Sequence, residues 1–435
     1  MESNKYNVDT AVLFRKRQMH VILPVFLVSV IAYVDRVNVA YAGMTMTKDL
    51  PWLGPEVFGA GAGIFFLSYF IFEIPGTLLA EKFDACKWIA RIMITWGAVC
   101  GLMAFMNSEF QFYLFRFLLG MCEASLYPTC YAILFRRWFL PEERAKAISM
   151  MLTSLLVSAI IGAPFAGWLL ELSFFGLHGW QTLFIIEALP AIIFAFVFMF
   201  WVKDRPEKSQ WLTDDEKAYM IELLAKEEEK KNEAQKYTVM QALTDSKVLR
   251  FVVIYVLWMT GFWGFNFWMP QVIKNLSGWS PMVVGFAFAI PLMLALIAQL
   301  IVGGHSSKTG EKKWHITWTL FLGAIGLGVA PLVHDPTISL IFVCIAGIGC
   351  YSALGVWWAT PTSFLSGAAA AGAVALINST GNLGGYIGPY LLGVVKANTG
   401  STDIGFYILA GCLGLAGILM ATMKPVTPDK TQNKE

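Results

Sequence analysis

Runs of about twenty apolar residues, separated by short turn and charge signals, recur along the whole 435-residue chain. Each is long enough to cross a ~30 Å hydrocarbon core as a helix. Twelve such windows lie near 18–42, 57–80, 88–107, 110–135, 144–172, 180–202, 247–276, 281–304, 313–333, 336–362, 368–396 and 402–424. The third and fourth are divided only by Asn107-Ser108-Glu109. One polar stretch, 203–247, is dense in Lys and Glu. Within it Thr213-Asp214-Asp215-Glu216 reads as a helix capping box, and Met220, Leu223 and Leu224 give that helix a narrow apolar stripe. The pattern predicts an all-α polytopic membrane protein. A tail at 1–17 leads into a six-helix bundle at 18–202, a linker at 203–246, a second six-helix bundle at 247–424 and a tail at 425–435.

Composition agrees. The chain is 57% hydrophobic and 14% charged, with a mean hydropathy of +0.60, against roughly 25% charged residues in soluble domains. Net charge is close to zero, but its distribution orients the chain. Arg36 and Arg116 lie within spans, and only Lys48, Lys274 and Lys396 fall at odd-to-even turns; the other Lys and Arg share the side of both termini. Both ends are therefore expected in the cytoplasm. Arg15-Lys16-Arg17 followed by an apolar run and Ala40-Tyr41-Ala42 mimics a signal peptide. Asp35-Arg36-Val37-Asn38 interrupts it, and the segment reads as a retained first helix. The seven cysteines form no CxxC pair and have no histidine at ligand spacing, so they read as packing residues, with no metal or cofactor site. The five histidines (20, 178, 305, 315 and 334) sit near span ends, where solvation explains them. HExxH, GxSxG and GxxxxGK[ST] are absent, which argues against a membrane enzyme.

The two bundles echo one another. Gly76-Thr-Leu-Leu-Ala-Glu81-Lys82-Phe-Asp84-Ala-Cys-Lys87-Trp88 follows the second span, and Gly304-His305-Ser-Ser-Lys308-Thr-Gly310-Glu-Lys312-Lys313-Trp314 follows the eighth. The same loop six spans apart argues for internal duplication, with substrate held between the halves at the midplane.

Charges at bilayer depth are costly and mark function. Arg116 and Glu123, seven residues apart, share a helix face about 10 Å apart along the axis. A carboxyl inside a bundle is the group that a proton carrier needs, although a permanent structural ion pair would also account for these two. Asp35 and Arg36, adjacent in sequence, point about 100° apart on a helix and do not neutralise each other. Counted along the helices, Asp35 and Arg116 reach similar depths, so Asp35 is expected to pair with Arg116. Arg36 is then left to face the cavity and grip a carboxylate through its fork. The stretch from Trp258 to Trp268 reads first as lipid-facing or belt aromatics. Asn266, Trp357, Trp358, Asn378 and Asn382 are the polar and aromatic candidates of the second bundle, the asparagines also suiting helix-to-helix contacts. Glycines at 59, 61 and 63, and from 381 to 388, form small-residue faces. Glu73 and Glu187 are buried acids without an assigned role.

The chain resembles the major facilitator superfamily through its paired loops, and more narrowly the anion:cation symporter family. The matching pieces are Asp35-Arg36-Val-Asn38, Glu73-Ile-Pro75-Gly76, Trp88-Ile-Ala-Arg91-Ile-Met-Ile-Thr-Trp96-Gly97 and Arg116-Phe-Leu-Leu-Gly120-Met-Cys-Glu123-Ala124. In the second half they are Ser280-Pro281, Ile377-Asn378-Ser-Thr-Gly381-Asn382-Leu-Gly384-Gly385 and Gly388-Pro389-Tyr390. The likeness runs from about residue 18 to 424. It departs at Asp84, where the family usually has glycine, at Ser307, where it usually has aspartate, and near Leu155-Leu156, where sugar-acid carriers have glutamine. The resemblance implies proton-coupled import of a hydroxy-, aromatic or dicarboxylate by alternating access. It implies Asp35 and Glu123 in proton coupling, and Arg36, Arg116, Tyr33, Tyr69, Trp358 and Asn378 around the substrate. Glu81, Lys82, Lys87 and Lys308 fall in its gating loops. The expected partners are a small organic anion, protons and the lipid bilayer, with no nucleic acid. A monomer in a bacterial inner membrane is expected. The alternatives are a sugar-acid proton symporter, or sodium-coupled transport or uniport of the same anions.

Overall fold

The computed structural model describes residues 6, 8–174, 176–233, 245–333, 335–360 and 367–423. The C-terminal tail, linker residues 234–244 and His334 lie outside them. Among the described residues eleven helices are long and apolar enough to cross a membrane. They are α1 (Thr10–Asp49), α2 (Pro55–Lys82), α3 (Ala85–Met103), α4 (Glu109–Trp138), α5 (Lys146–Leu170) and α6 (Gly179–Trp201), followed by α7 (Ser246–Ser277), α8 (Pro281–Thr309), α9 (Lys313–Leu332), α10 (Pro336–Trp358) and α12 (Asp403–Ala421). Between the last two runs α11 (Gly367–Thr399), 33 residues long and richer in polar and small residues than its neighbours. The all-helical, twelve-helix expectation is met, with boundaries shifted by a few residues.

Local signals set the helix ends. Pro55, Pro281 and Pro336 open α2, α8 and α10, where the missing N–H costs nothing. Ser108, Ser280 and Asp335 cap α4, α8 and α10 through their side-chain oxygens. In the linker, Thr213 and Glu216 exchange the two bonds of a capping box, at 2.8 and 3.2 Å, to start the helix Asp214–Glu233. Its Met220 is buried, and Lys16 on α1 binds Glu216 at 2.8 Å, so the linker helix lies beside the N-terminal segment.

Two helices, one in each half, break in the same way. Helix α4 breaks at Ala124-Ser125 and α10 breaks at Ser352-Ala353. The second residue of each break has nearly the same conformation, φ −94° and ψ 5° at Ser125, φ −94° and ψ 3° at Ala353. The residue just before each break is polar and buried: Glu123 in α4, Tyr351 in α10.

The halves meet most extensively along two seams, α2 against α11 and α5 against α8. Both require glycine. A Cβ at Gly59 would sit 2.5 Å from the Pro389 carbonyl oxygen, and one at Gly285 would sit 2.3 Å from the Ala163 carbonyl oxygen. Backbone cannot yield as a side chain does, so Gly59→Leu is expected to cost about 1–3 kcal/mol of packing. It should lower the thermal unfolding midpoint in detergent and slow transport at least tenfold while membrane insertion persists. An unchanged midpoint and rate would show that the seam tolerates a side chain.

Helix α7 corrects one expectation. Trp258 and Trp268 are fully buried, and Trp263 is buried as well. Their indole N–H groups are used inside the protein: Trp258 donates to the Cys350 carbonyl at 2.9 Å and Trp268 to the Pro389 carbonyl at 3.0 Å. α7 packs against α1, α10, α11 and α12, so an aromatic run on all its faces meets protein rather than lipid. Lipid-facing apolar surface lies elsewhere, for example at Phe110, Phe200, Leu300 and Trp318.

Candidate functional site

Arg36 lies near the middle of α1, and its guanidinium turns toward the break in α4. Its Nε donates to Glu123 Oε1 at 3.1 Å, and Nη2 donates to the same oxygen. Both side chains are nearly closed off, 9% and 1% exposed. Three aromatic rings surround the guanidinium: Tyr69 of α2 at 5.0 Å, Phe65 of α2 at 5.3 Å and Tyr127 of α4 at 5.4 Å from its central carbon. These faces hold a cation favourably while leaving its N–H edges for acceptors.

The second half completes the site. Tyr33 on α1 approaches Tyr351 of α10 with their hydroxyls 3.4 Å apart, and Tyr351 donates to Asn266 Oδ1 of α7 at 2.6 Å. Trp263 of α7 packs on Phe66 of α2 with ring centres 4.5 Å apart. Trp358 lies edge-on to Tyr255, at 5.2 Å, toward the terminus-bearing end of α10. On α11, Asn378 donates to Glu73 Oε1 of α2 at 2.9 Å, and Ser379 donates to Glu73 Oε2 at 3.0 Å. Helices α1, α2 and α4 thus meet α7, α10 and α11 around Arg36, bringing a cation, two carboxyls, amides and phenols into one buried region.

The expected Asp35–Arg116 pair does not form. Asp35 turns to the opposite face of α1, where it accepts from the Trp96 indole at 2.7 Å and the Cys100 thiol at 3.7 Å. Arg116 instead donates to two main-chain carbonyls of α2, Gly61 at 3.0 Å and Ala62 at 3.0 Å, with Phe65 against its guanidinium at 5.0 Å. Similar depth along two helices was a poor guide because the direction around each axis decides which side chains meet. Behind Asp35, both carboxyl oxygens of Glu187 on α6 and Oδ1 of Asn38 are buried without a hydrogen-bond partner among the described residues. Sequence reasoning named Asn378 and Asn382 without pairing them to Glu73, and left Tyr127 and Tyr351 unremarked. Their signal was the α4 and α10 positions flanking matching breaks, which only the duplication could have aligned.

The loop residues separate. Glu81 pairs with Arg136 at 3.0 Å on an exposed surface, a contact worth little alone. Lys82, Lys87 and Lys308 are exposed. Asp84 is an N-cap: it accepts from the Cys86 and Lys87 N–H groups at 3.0 and 3.2 Å and binds Lys208 at 3.2 Å. Partial burial raises its carboxyl, but the Lys87 N–H and the Lys208 ammonium outweigh that and hold it below the usual aspartate value. Glycine would leave the Cys86 and Lys87 N–H groups without this acceptor, although Asp204 would still accept from the Ala85 N–H at 2.9 Å.

The sequence model described as Major Facilitator Superfamily matches residues 25–389 and 278–435. The chain is 39% identical over 424 residues to a protein of Agrobacterium vitis named "Putative tartrate transporter", covering 97% of each. It is 35% identical to a "Quinolone resistance transporter" of Acinetobacter baumannii over 87% of each chain. It is 31% identical to "Inner membrane transport protein RhmT" of Escherichia coli, over 94% of this chain and 95% of that one. Among solved structures it resembles a D-xylose-proton symporter, with a TM-score of 0.74, 15% identity and 93% and 97% of the two chains covered.

Proposed function

This chain belongs to the major facilitator superfamily and is an integral membrane transport protein rather than an enzyme; on that premise we propose that it is a proton-coupled symporter importing a small organic carboxylate. The observation that carries the reading is the buried Arg36–Glu123 pair, set where helices of both halves converge. Arg36 presents a charged fork ringed by three aromatics, and Glu123 occupies it. A proton on Glu123 removes that competitor, so a substrate carboxylate can take its place. Proton and anion then bind together because each is disfavoured without the other.

Asp35 is the second proton-coupling carboxyl in this reading, acting from behind α1 through its bond to Trp96. Tyr33, Tyr69, Trp358 and Asn378 contact the substrate body, and Arg116 sets the electrostatic field while holding α2. The halves at 18–202 and 247–424 tilt about this centre, exposing it to one side at a time. Glu81, Lys82, Lys87 and Lys308 lie at the loops that move in this tilt. The Lys and Arg distribution supports cytoplasmic termini, and the bacterial relatives favour an inner membrane. Tartrate-like hydroxydicarboxylates and compact aromatic acids are the leading substrates, since the name of the Agrobacterium relative points to the first and a guanidinium ringed by aromatics suits either.

The test is external pH in weakly buffered vesicles holding the purified protein while single carboxylates are added. Alkalinisation outside with one acid supports proton symport and identifies its substrate class. Uptake of labelled acid without a pH change would overturn the coupling and favour uniport or sodium coupling.

A further inference from the structure

Glu73 has no part in the mechanism above, yet it makes the most developed polar contact between the two halves. From α2 its carboxylate accepts from Asn378 at 2.9 Å, Ser379 at 3.0 Å and Asn382 at 3.5 Å, all on α11. All three donors are neutral, and the carboxylate is buried. Among the described residues no cation bonds to it. On α1 the charge that reaches it is Arg36, already bound to Glu123. The titratable neighbours on α2, α4 and α7 are the phenols of Tyr69, Tyr131 and Tyr255.

Position along the seam gives this contact a direction. Glu73 lies roughly 14 Å from the Lys82 end of α2 against roughly 27 Å from Pro55, and Asn378 lies in the first half of α11. The Lys82 end is the side where Arg17 of α1 meets Glu143 and Trp138, the terminus-bearing side. Toward the opposite side the same two helices touch through Gly59, Gly63 and Gly393, backbone against backbone. The seam is therefore a tight small-residue contact at one end and a carboxylate with amide and hydroxyl donors at the other.

We infer that Glu73 is a third coupling carboxyl, a latch on the terminus-bearing side of the seam that is closed when ionised and released by protonation. Opening that side pulls Asn378, Ser379 and Asn382 away from the carboxylate. An ionised Glu73 would lose three charge-assisted hydrogen bonds in that step, each roughly twice as strong as a neutral one, which opposes opening. A proton removes the charge, and the contact becomes ordinary hydrogen bonding that separates readily. The device makes opening toward the termini depend on a bound proton, which suits a carrier that must not open there empty. It also holds the Asn378 amide until the latch lets go. The inference rests on the symport reading, since a coupling residue needs coupled protons.

The measurement is the number of protons moved per substrate, together with substrate counterflow at equal pH on both sides, for the wild type, Glu73→Gln and Glu73→Asp. The expected result is that Glu73→Gln keeps counterflow within about threefold but moves one proton fewer per substrate, while Glu73→Asp keeps the wild-type ratio at a lower rate. A wild-type ratio in Glu73→Gln, or equal loss of counterflow in both variants, overturns the inference and leaves Glu73 as packing. If the wild type itself moves no protons, the symport reading falls and this inference with it. Proton movement in the wild type with an unchanged ratio in Glu73→Gln sinks only the latch.

Discussion

Arg36→Ala is expected to weaken binding of the transported carboxylate at least 100-fold while the protein still inserts and elutes as a single species in detergent. The guanidinium offers the substrate two charge-assisted hydrogen bonds, each worth about 1.5–3 kcal/mol, and about 1.4 kcal/mol corresponds to a factor of ten. The loss has a second component. Without Arg36 the Glu123 carboxylate keeps no cationic partner at bonding distance among the described residues, so a buried charge is left uncompensated. Arg36→Lys should restore part of the affinity, because an ammonium supplies charge but not the planar fork. Titration calorimetry or quenching of the nearby tryptophans reads the affinity directly. Wild-type affinity in Arg36→Ala would mean that Arg36 serves only to hold α1 against α4, and the anion site would have to be sought at Arg116.

Glu123→Gln is expected to separate substrate movement from proton movement. Glutamine keeps the size and an acceptor oxygen for Arg36 but cannot lose a proton or carry charge. The guanidinium is then open to a substrate carboxylate at any pH. Counterflow of labelled substrate should persist within several-fold of wild type, whereas accumulation driven by an imposed pH gradient should fall to simple equilibration. External alkalinisation on adding substrate should decline in step. Full gradient-driven accumulation in this variant would remove Glu123 from the coupling path and leave Asp35 and Glu73 as the carboxyls to test. Loss of counterflow as well would mark Glu123 as a residue that builds the site instead of switching it. The two experiments discriminate because one removes the anion's partner and the other only the proton's.

Much of this protein was legible in one dimension. Twelve apolar windows predicted the helices because a backbone in hydrocarbon must satisfy its hydrogen bonds within the segment, so span length reads out as helix. Loop grammar repeated after the second and eighth spans predicted a duplication, and α4 and α10 break at residues with nearly the same backbone angles, Ser125 and Ala353. Asp35, Arg36, Arg116 and Glu123 stood out because charge at bilayer depth is too costly to be incidental. The partners of those charges were not legible. A depth count paired Asp35 with Arg116, whereas rotation about α1 sends Asp35 to Trp96 and Arg36 to Glu123. Aromatic α7 read as lipid-facing because composition does not say whether a helix is at the rim or the centre of a bundle. Glu73 looked idle because its three donors lie more than 300 residues away on the other half. The sequence by itself determined which segments cross the membrane and which of them carry charge, since both follow from the local cost of transfer into lipid. Tertiary structure alone decided which charges meet, because side-chain encounters depend on helix rotation and on the seam between halves, and neither is encoded in any one segment.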